Sequence, residues 1–74
     1  MEYRRFDNTI IARMDKGDEI IESVKTIAVA EQIQLASIQY SIKQIGISQR
    51  DYLSEKCLFW FTRHLQVWGI RYVC

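Results

Sequence analysis

Seventy-four residues suffice for one small domain, near the lower limit at which a chain can build its own core. An apolar fraction of 49% demands burial, yet at this size core gain and chain entropy nearly cancel unless a cross-link, a metal or partner subunits help. The net charge of +1 excludes an argument from bulk electrostatics for nucleic acid or an acidic partner, and two cysteines are too few for a disulfide framework, allowing one bridge at most.

From Asn8 to Met14 the residues alternate, with Ile10, Ala12 and Met14 on one side and Thr9, Ile11 and Arg13 on the other. Period two with β-branched residues is the pattern of a half-buried strand. The Asp15-Lys16-Gly17-Asp18 turn follows, where Gly17 supplies a positive φ and either Asp15 or Asp18 is placed to cap the next helix. That helix is predicted over Glu19 to Gln32, with Ile20, Ile21, Val24, Ile27 and Ala28 as its apolar stripe; Ile21, Val24 and Ala28 are expected to face the sheet. Asp18, Glu19 and Glu22 place negative charge at its positive dipole end.

A second strand is predicted from Ile33, since Ile33, Leu35, Ser37 and Gln39 alternate with Gln34, Ala36, Ile38 and Tyr40. Strand, helix and strand joined by short turns give a βαβ-type unit, right-handed if its strands lie side by side. Ile42, Ile45 and Ile47 around Gly46 read as a short strand or a bulge. Leu53, Cys57, Phe61, Leu65 and Trp68 fall at helical spacing, and Gln66 to Val73 favours strand. A short helix over about residues 53–65 and a strand to Val73 are therefore expected, which makes the fold class α+β.

Composition shifts near residue 40. Residues 1–37 hold five Lys/Arg against seven Asp/Glu, and residues 38–74 hold five against two; six of nine aromatic residues lie between Tyr52 and Tyr72. No linker composition, repeat or low-complexity tract accompanies the shift.

The stretch Tyr3-Arg4-Arg5-Phe6, the strand Thr9 to Met14, the segment Asp15-Lys16-Gly17-Asp18-Glu19-Ile20-Ile21-Glu22-Ser23 and the stretch Ile33 to Ile38 together resemble the plant and prokaryote conserved (PPC) domain. The resemblance covers about residues 1–39. It implies a compact α/β domain, helices packed on a sheet, assembling as a trimer. It also implies DNA or DNA-associated partners, because plant members stand behind AT-hook segments; no such hook exists here, and the chain has no Pro. Where the family continues into a Gly-Ile-Gly-Ala type turn, Gln39-Tyr40-Ser41-Ile42 stands instead, and no Gly-Gly-His segment follows. The chain is accordingly read as a single PPC-like domain, family-like over 1–39 and divergent over 40–74. Either the protein has diverged, or its reading frame or end was altered after about residue 39. The coincident composition shift favours the latter, and the resemblance carries over no site residues.

No catalytic constellation stands out, and no cofactor is expected. Cys57, His64 and Cys74 are spaced by seven and ten residues and lack the fourth ligand of a structural zinc site. Cys57 and His64, as nucleophile and base on a helix, would stand two turns apart, about 10 Å, beyond direct proton transfer. Arg4, Arg5 and Arg13 with Phe59, Trp60, Phe61 and Trp68 offer phosphate and base contacts, diluted by Glu2, Asp7 and Asp15. As a membrane-surface helix, residues 58–73 would carry only Arg63, His64 and Arg71 on the polar side. Phe59, Trp60, Phe61 and Trp68 are read instead as core or subunit interface.

The function expected is a non-enzymatic module for interaction and self-assembly, without a membrane partner and located in the cytoplasm, as no apolar leader segment follows Arg4 and Arg5. The alternatives are a small-molecule-binding protein or enzyme with a pocket between subunits, or a fragment without independent activity. Because Phe59, Trp60 and Phe61 are consecutive, no regular element turns all three inward, and the chain is not expected to be a stable monomer.

Overall fold

The computed structural model describes residues 1–47 and 50–74. The Asp7-Asn8 turn yields a hairpin: β1 (Glu2–Phe6) runs antiparallel to β2 (Thr9–Met14), with Phe6 opposite Thr9. The two-residue turn between them places Asp7 at φ 54°, a region that Asp tolerates better than most residues. β2 is the predicted strand, with Ile10, Ala12 and Met14 wholly buried.

At the predicted turn, the Asp15 backbone N–H donates to the Asp18 carboxylate at 2.9 Å, and the Asp18 N–H donates back to the Asp15 carbonyl at 3.0 Å. Gly17 sits at φ 92°, as the turn reading requires. The cap, however, is neither aspartate. The Glu19 carboxylate accepts from the Glu22 backbone N–H, and Asp15 and Asp18 are committed to one another. Helix α1 (Ile20–Ala30) buries Ile20, Val24, Ile27 and Ala28, with Ile21 half-buried against the same core.

The strand expected from Ile33 is a helix. α1 ends with Gln32 at φ 57°, where the Ile33 N–H reaches the Ala28 carbonyl at 2.8 Å and the Gln32 N–H reaches Val29 at 3.3 Å. This pair of bonds is a Schellman closure, and it redirects the chain into α2 (Leu35–Gln44). Ile38, Ser41 and Ile42 are buried and Ile45 is half-buried, a stripe at i, i+3, i+4 and i+7. Leu35, which the strand reading set on one face with Ile33, is 44% exposed while Ile33 is buried. Gly46 closes α2 in the same way at φ 86°, so it terminates a helix rather than bulging a strand. Arg50 to Leu53 then return beside the first turn, with the Leu53 N–H donating to the Asp18 carbonyl and the Gly17 N–H to the Leu53 carbonyl, both at 2.9 Å.

The helix expected over residues 53–65 is also a strand. β3 (Cys57–His64) pairs antiparallel with β2, and β4 (Val67–Val73), the predicted last strand, pairs antiparallel with β3. The sheet order is β1-β2-β3-β4, antiparallel throughout, so no parallel βαβ crossover forms. The two helices bridge β2 to β3 and lie on one face of the sheet, α2 resting against β4 and α1. The fold is α+β, and the second half of the chain supplies half of its sheet. Cys57 and Cys74, one step beyond the Leu58–Val73 pair, are joined by a disulfide.

Candidate interaction surface

Strand alternation sorts the side chains of this sheet by face. The helix side takes Ile10, Ala12, Met14, Cys57, Phe59, Phe61, Trp68 and Ile70, all buried. Phe59 stacks on Tyr72 with centroids 5.1 Å apart. The opposite side carries Glu2, Arg4 and Phe6 from β1 and Thr9, Ile11 and Arg13 from β2. It also carries Leu58, Trp60, Thr62 and His64 from β3, and Val67, Gly69, Arg71 and Val73 from β4. No described residue covers that side. Phe6 is 55% exposed, Val67 56% and Val73 53%, with Ile11 and Leu58 also exposed and Trp60 half-buried among them. Apolar side chains exposed together on an uncovered sheet face point to an interaction surface.

The register gives this open face an internal order. Arg4, Ile11, Trp60 and Arg71 are successive cross-strand partners and form one row. Its neighbours are the rows Glu2, Arg13, Leu58, Val73 and Phe6, Thr9, Thr62, Gly69. Arg13 is held by carboxylates, with Nε 3.3 Å from Asp15 and Nη2 3.8 Å from Glu2. Arg4 and Arg71 are exposed and have no ion-pair partner among the described residues. Gly69 has no side chain above the sheet. A hollow of about 980 Å³ runs along β4, walled by Trp60, Thr62, His64 and Arg71 of this face and by Ile70 and Tyr72 of the other.

Of the four aromatic residues expected at an interface, only Trp60 lies on the open face. Phe59 and Phe61 are wholly buried and Trp68 is 7% exposed, because strand period two turns 59 and 61 inward together and 60 outward. Phe6, missed by the sequence reading, takes their place; its signal was the Phe6-Asp7-Asn8-Thr9 turn, which makes residues 2–6 a strand.

A second polar cluster lies at the helix side of β1. Tyr3 Oη donates to Glu31 at 3.1 Å, Arg5 Nη1 pairs with Glu31 Oε1 at 3.3 Å, and the Arg5 guanidinium sits 5.5 Å from the Trp68 ring centroid. Burial and the Glu31 hydrogen bond push the Tyr3 phenol above its usual value. These groups satisfy one another and seal the edge of the core. Arg5 is thereby withdrawn from the expected phosphate contacts.

The candidate chemistry is dispersed. Cys57 is buried and disulfide-bonded, and His64 is seven residues along the same strand on the opposite face, about 23 Å away by strand rise. Among the described residues no group of three His, Cys, Asp or Glu side chains is placed to hold a metal ion. No described helix is long and apolar enough to cross a membrane. Comparison with known protein families, with curated proteins and with solved structures finds no match.

Proposed function

We propose that the protein is a non-enzymatic interaction module: copies join through the edges of the sheet, and its open face takes a further partner. The observation that carries this reading is a four-stranded sheet that, among the described residues, is covered on one side only and has both edge strands unpaired. The edges differ. β1 presents Glu2, Arg4 and Arg5, charges that discourage strand addition, whereas β4 presents Val67, Tyr72 and Val73 with Arg71 as its one charge. Antiparallel pairing of β4 with β4 about a two-fold axis is the simplest closed form. The trimer implied by the resemblance of residues 1–39 closes through a heterologous contact of β1 with β4. DNA-associated partners rest on that resemblance alone.

Sedimentation equilibrium over a wide concentration range tests the edge contact. The parent chain is expected to associate, and the double variant Val67→Lys/Val73→Lys to shift to monomer. A single monomeric species for the parent at all concentrations contradicts the reading. We place the protein in the cytoplasm, where the Cys57–Cys74 pair would be held reduced, since a single bridge is unlike the dense cross-linking of small secreted domains. Thiol trapping of Cys57 and Cys74 in acid-quenched cells tests that location: reduced thiols support it, and a fully bridged population opposes it.

A further inference from the structure

We propose that the open face binds single-stranded nucleic acid, with Trp60 as the stacking platform for a base and Arg4 and Arg71 as the phosphate contacts. This rests on the reading of that face as the working surface and names its partner. The face carries three arginines, Arg4, Arg13 and Arg71, against one acidic side chain, Glu2. The guanidiniums of Arg4 and Arg71 are exposed and uncompensated among the described residues, so they remain available to an anion.

Geometry favours a strand laid across the sheet. Arg4 and Arg71 end the same row, three strand intervals apart, or about 14 Å. Ile11 and Trp60 lie between them, an apolar floor flanked by two cations. Beside Trp60, Gly69 adds no side chain, and the hollow along β4 is walled on this face by Thr62, His64 and Arg71, where a base can lie against the indole. Base stacking on an aromatic ring combined with arginine contacts to the backbone is how sequence-tolerant single-strand binding is built. A duplex, whose bases are already stacked, has no use for that floor.

The same row disfavours a second copy as occupant. For a face-to-face dimer, a two-fold axis along the strands sets Arg4 against the other copy's Arg71. An axis across the strands, along the row, sets Arg4 on Arg4 and Arg71 on Arg71. Either arrangement buries like charges. Edge-to-edge assembly through β4 avoids this conflict and leaves the faces open.

The test is a fluorescence-anisotropy titration of labelled oligothymidylate and oligouridylate, with a duplex of equal length and a polyglutamate peptide as controls. The parent is expected to bind both single strands better than either control, with affinity falling as salt rises. Trp60→Ala is expected to weaken binding about tenfold, and Trp60→Phe to retain most of it. Arg4→Ala/Arg71→Ala is expected to lower the salt slope by about 1.4, from two lost phosphate contacts. Circular dichroism and thermal melts verify that each variant is folded; Arg4→Lys/Arg71→Lys, which keeps the charges, is expected to preserve the slope. No binding to single strands at low salt overturns the proposal. So does binding that Trp60→Ala leaves unchanged, or polyglutamate bound as tightly as the oligonucleotides. Sedimentation of the same preparations separates the two readings. Oligomers without oligonucleotide binding overturn the nucleic-acid assignment alone, and monomers without binding overturn the interaction module as well.

Discussion

Replacing Phe59 by Ala removes one of the two largest fully buried side chains, whose ring stacks on Tyr72 and lies wholly inside the core. Truncations of this kind cost about 3–5 kcal/mol, because lost transfer free energy and the residual cavity add. At the usual stability per residue, a chain of 74 residues has about 4–11 kcal/mol in total. Phe59→Ala therefore removes a large share of the stability and should lower the thermal midpoint by roughly 12 °C or more. Trp60 is the next residue, but it projects from the open face and is only half-buried, so Trp60→Ala should cost about 1 kcal/mol. Leu65, in the β3–β4 turn, is 81% exposed, and Leu65→Ala should lie within about 0.5 kcal/mol of the parent. Urea unfolding of the three variants, analysed with a common slope, supplies the comparison. Strand geometry requires the order Phe59, then Trp60, then Leu65. Were Leu65→Ala as damaging as Phe59→Ala, the segment would be helical and the placement of Trp60 on an open face would be wrong.

Val24 is wholly buried on α1, so Val24→Asp should unfold the chain or cost more than about 3 kcal/mol; a parent-like melt would show that the helix face is misassigned. Gln32 sits at φ 57°, a conformation costing a non-glycine residue about 1 kcal/mol, so Gln32→Gly should raise the urea midpoint, and an unchanged or lower midpoint would argue against the Schellman closure. The Asp18 carboxyl is held below its usual value chiefly by the Asp15 backbone N–H. A depressed folded pKa contributes stability that is present above the unfolded value of about 3.9 and is lost as pH falls through the lower, folded one. Asp18→Asn should therefore flatten the stability profile below about pH 4, and an acid limb identical to the parent's would refute this. Cys57 and Cys74 enclose a loop of sequence separation 17, for which chain entropy assigns about 3 kcal/mol. Reductant should lower the melting midpoint of the oxidised parent and leave Cys74→Ser unmoved; equal responses would show that the bridge contributes nothing.

β2 and α1 were legible because each carries one uncontested period, two for Ile10-Ala12-Met14 and 3.6 for Ile20-Val24-Ile27, and the turn between them because Gly17 breaks the strand. β1 was read only as part of a resemblance: at a sheet edge, Arg4 and Arg5 put charge on both faces, and alternation disappears. α2 was misread because the window from Ile33 to Tyr40 alternates by coincidence. Its true stripe runs past that window, and one member is Ser41, buried because its hydroxyl donates to the Trp68 carbonyl. β3 was misread for a reason tied to the proposed function. A strand with one wet face shows period two, but here Leu58 and Trp60 make the outward face apolar as well, and a continuous apolar run does not separate strand from helix. The accidental spacing of Leu53, Cys57, Phe61, Leu65 and Trp68 then tipped the reading to helix. For the same reason four aromatic residues were assigned together to an interface, although period two separates Trp60 from the other three.

Arg4, Ile11, Trp60 and Arg71 form one row on the open sheet face, and both the interaction surface and its proposed ligand depend on that row. Nuclear Overhauser contacts in isotope-labelled protein test it most directly. The expected result is cross-strand backbone contacts around the Arg4–Ile11, Ile11–Trp60 and Trp60–Arg71 pairs, with no contact from the Trp60 ring to Val24, Ile27, Ile38 or Ile42 on the helices. Medium-range i,i+3 contacts along residues 57–64, or a Trp60 ring packed against either helix, would contradict it.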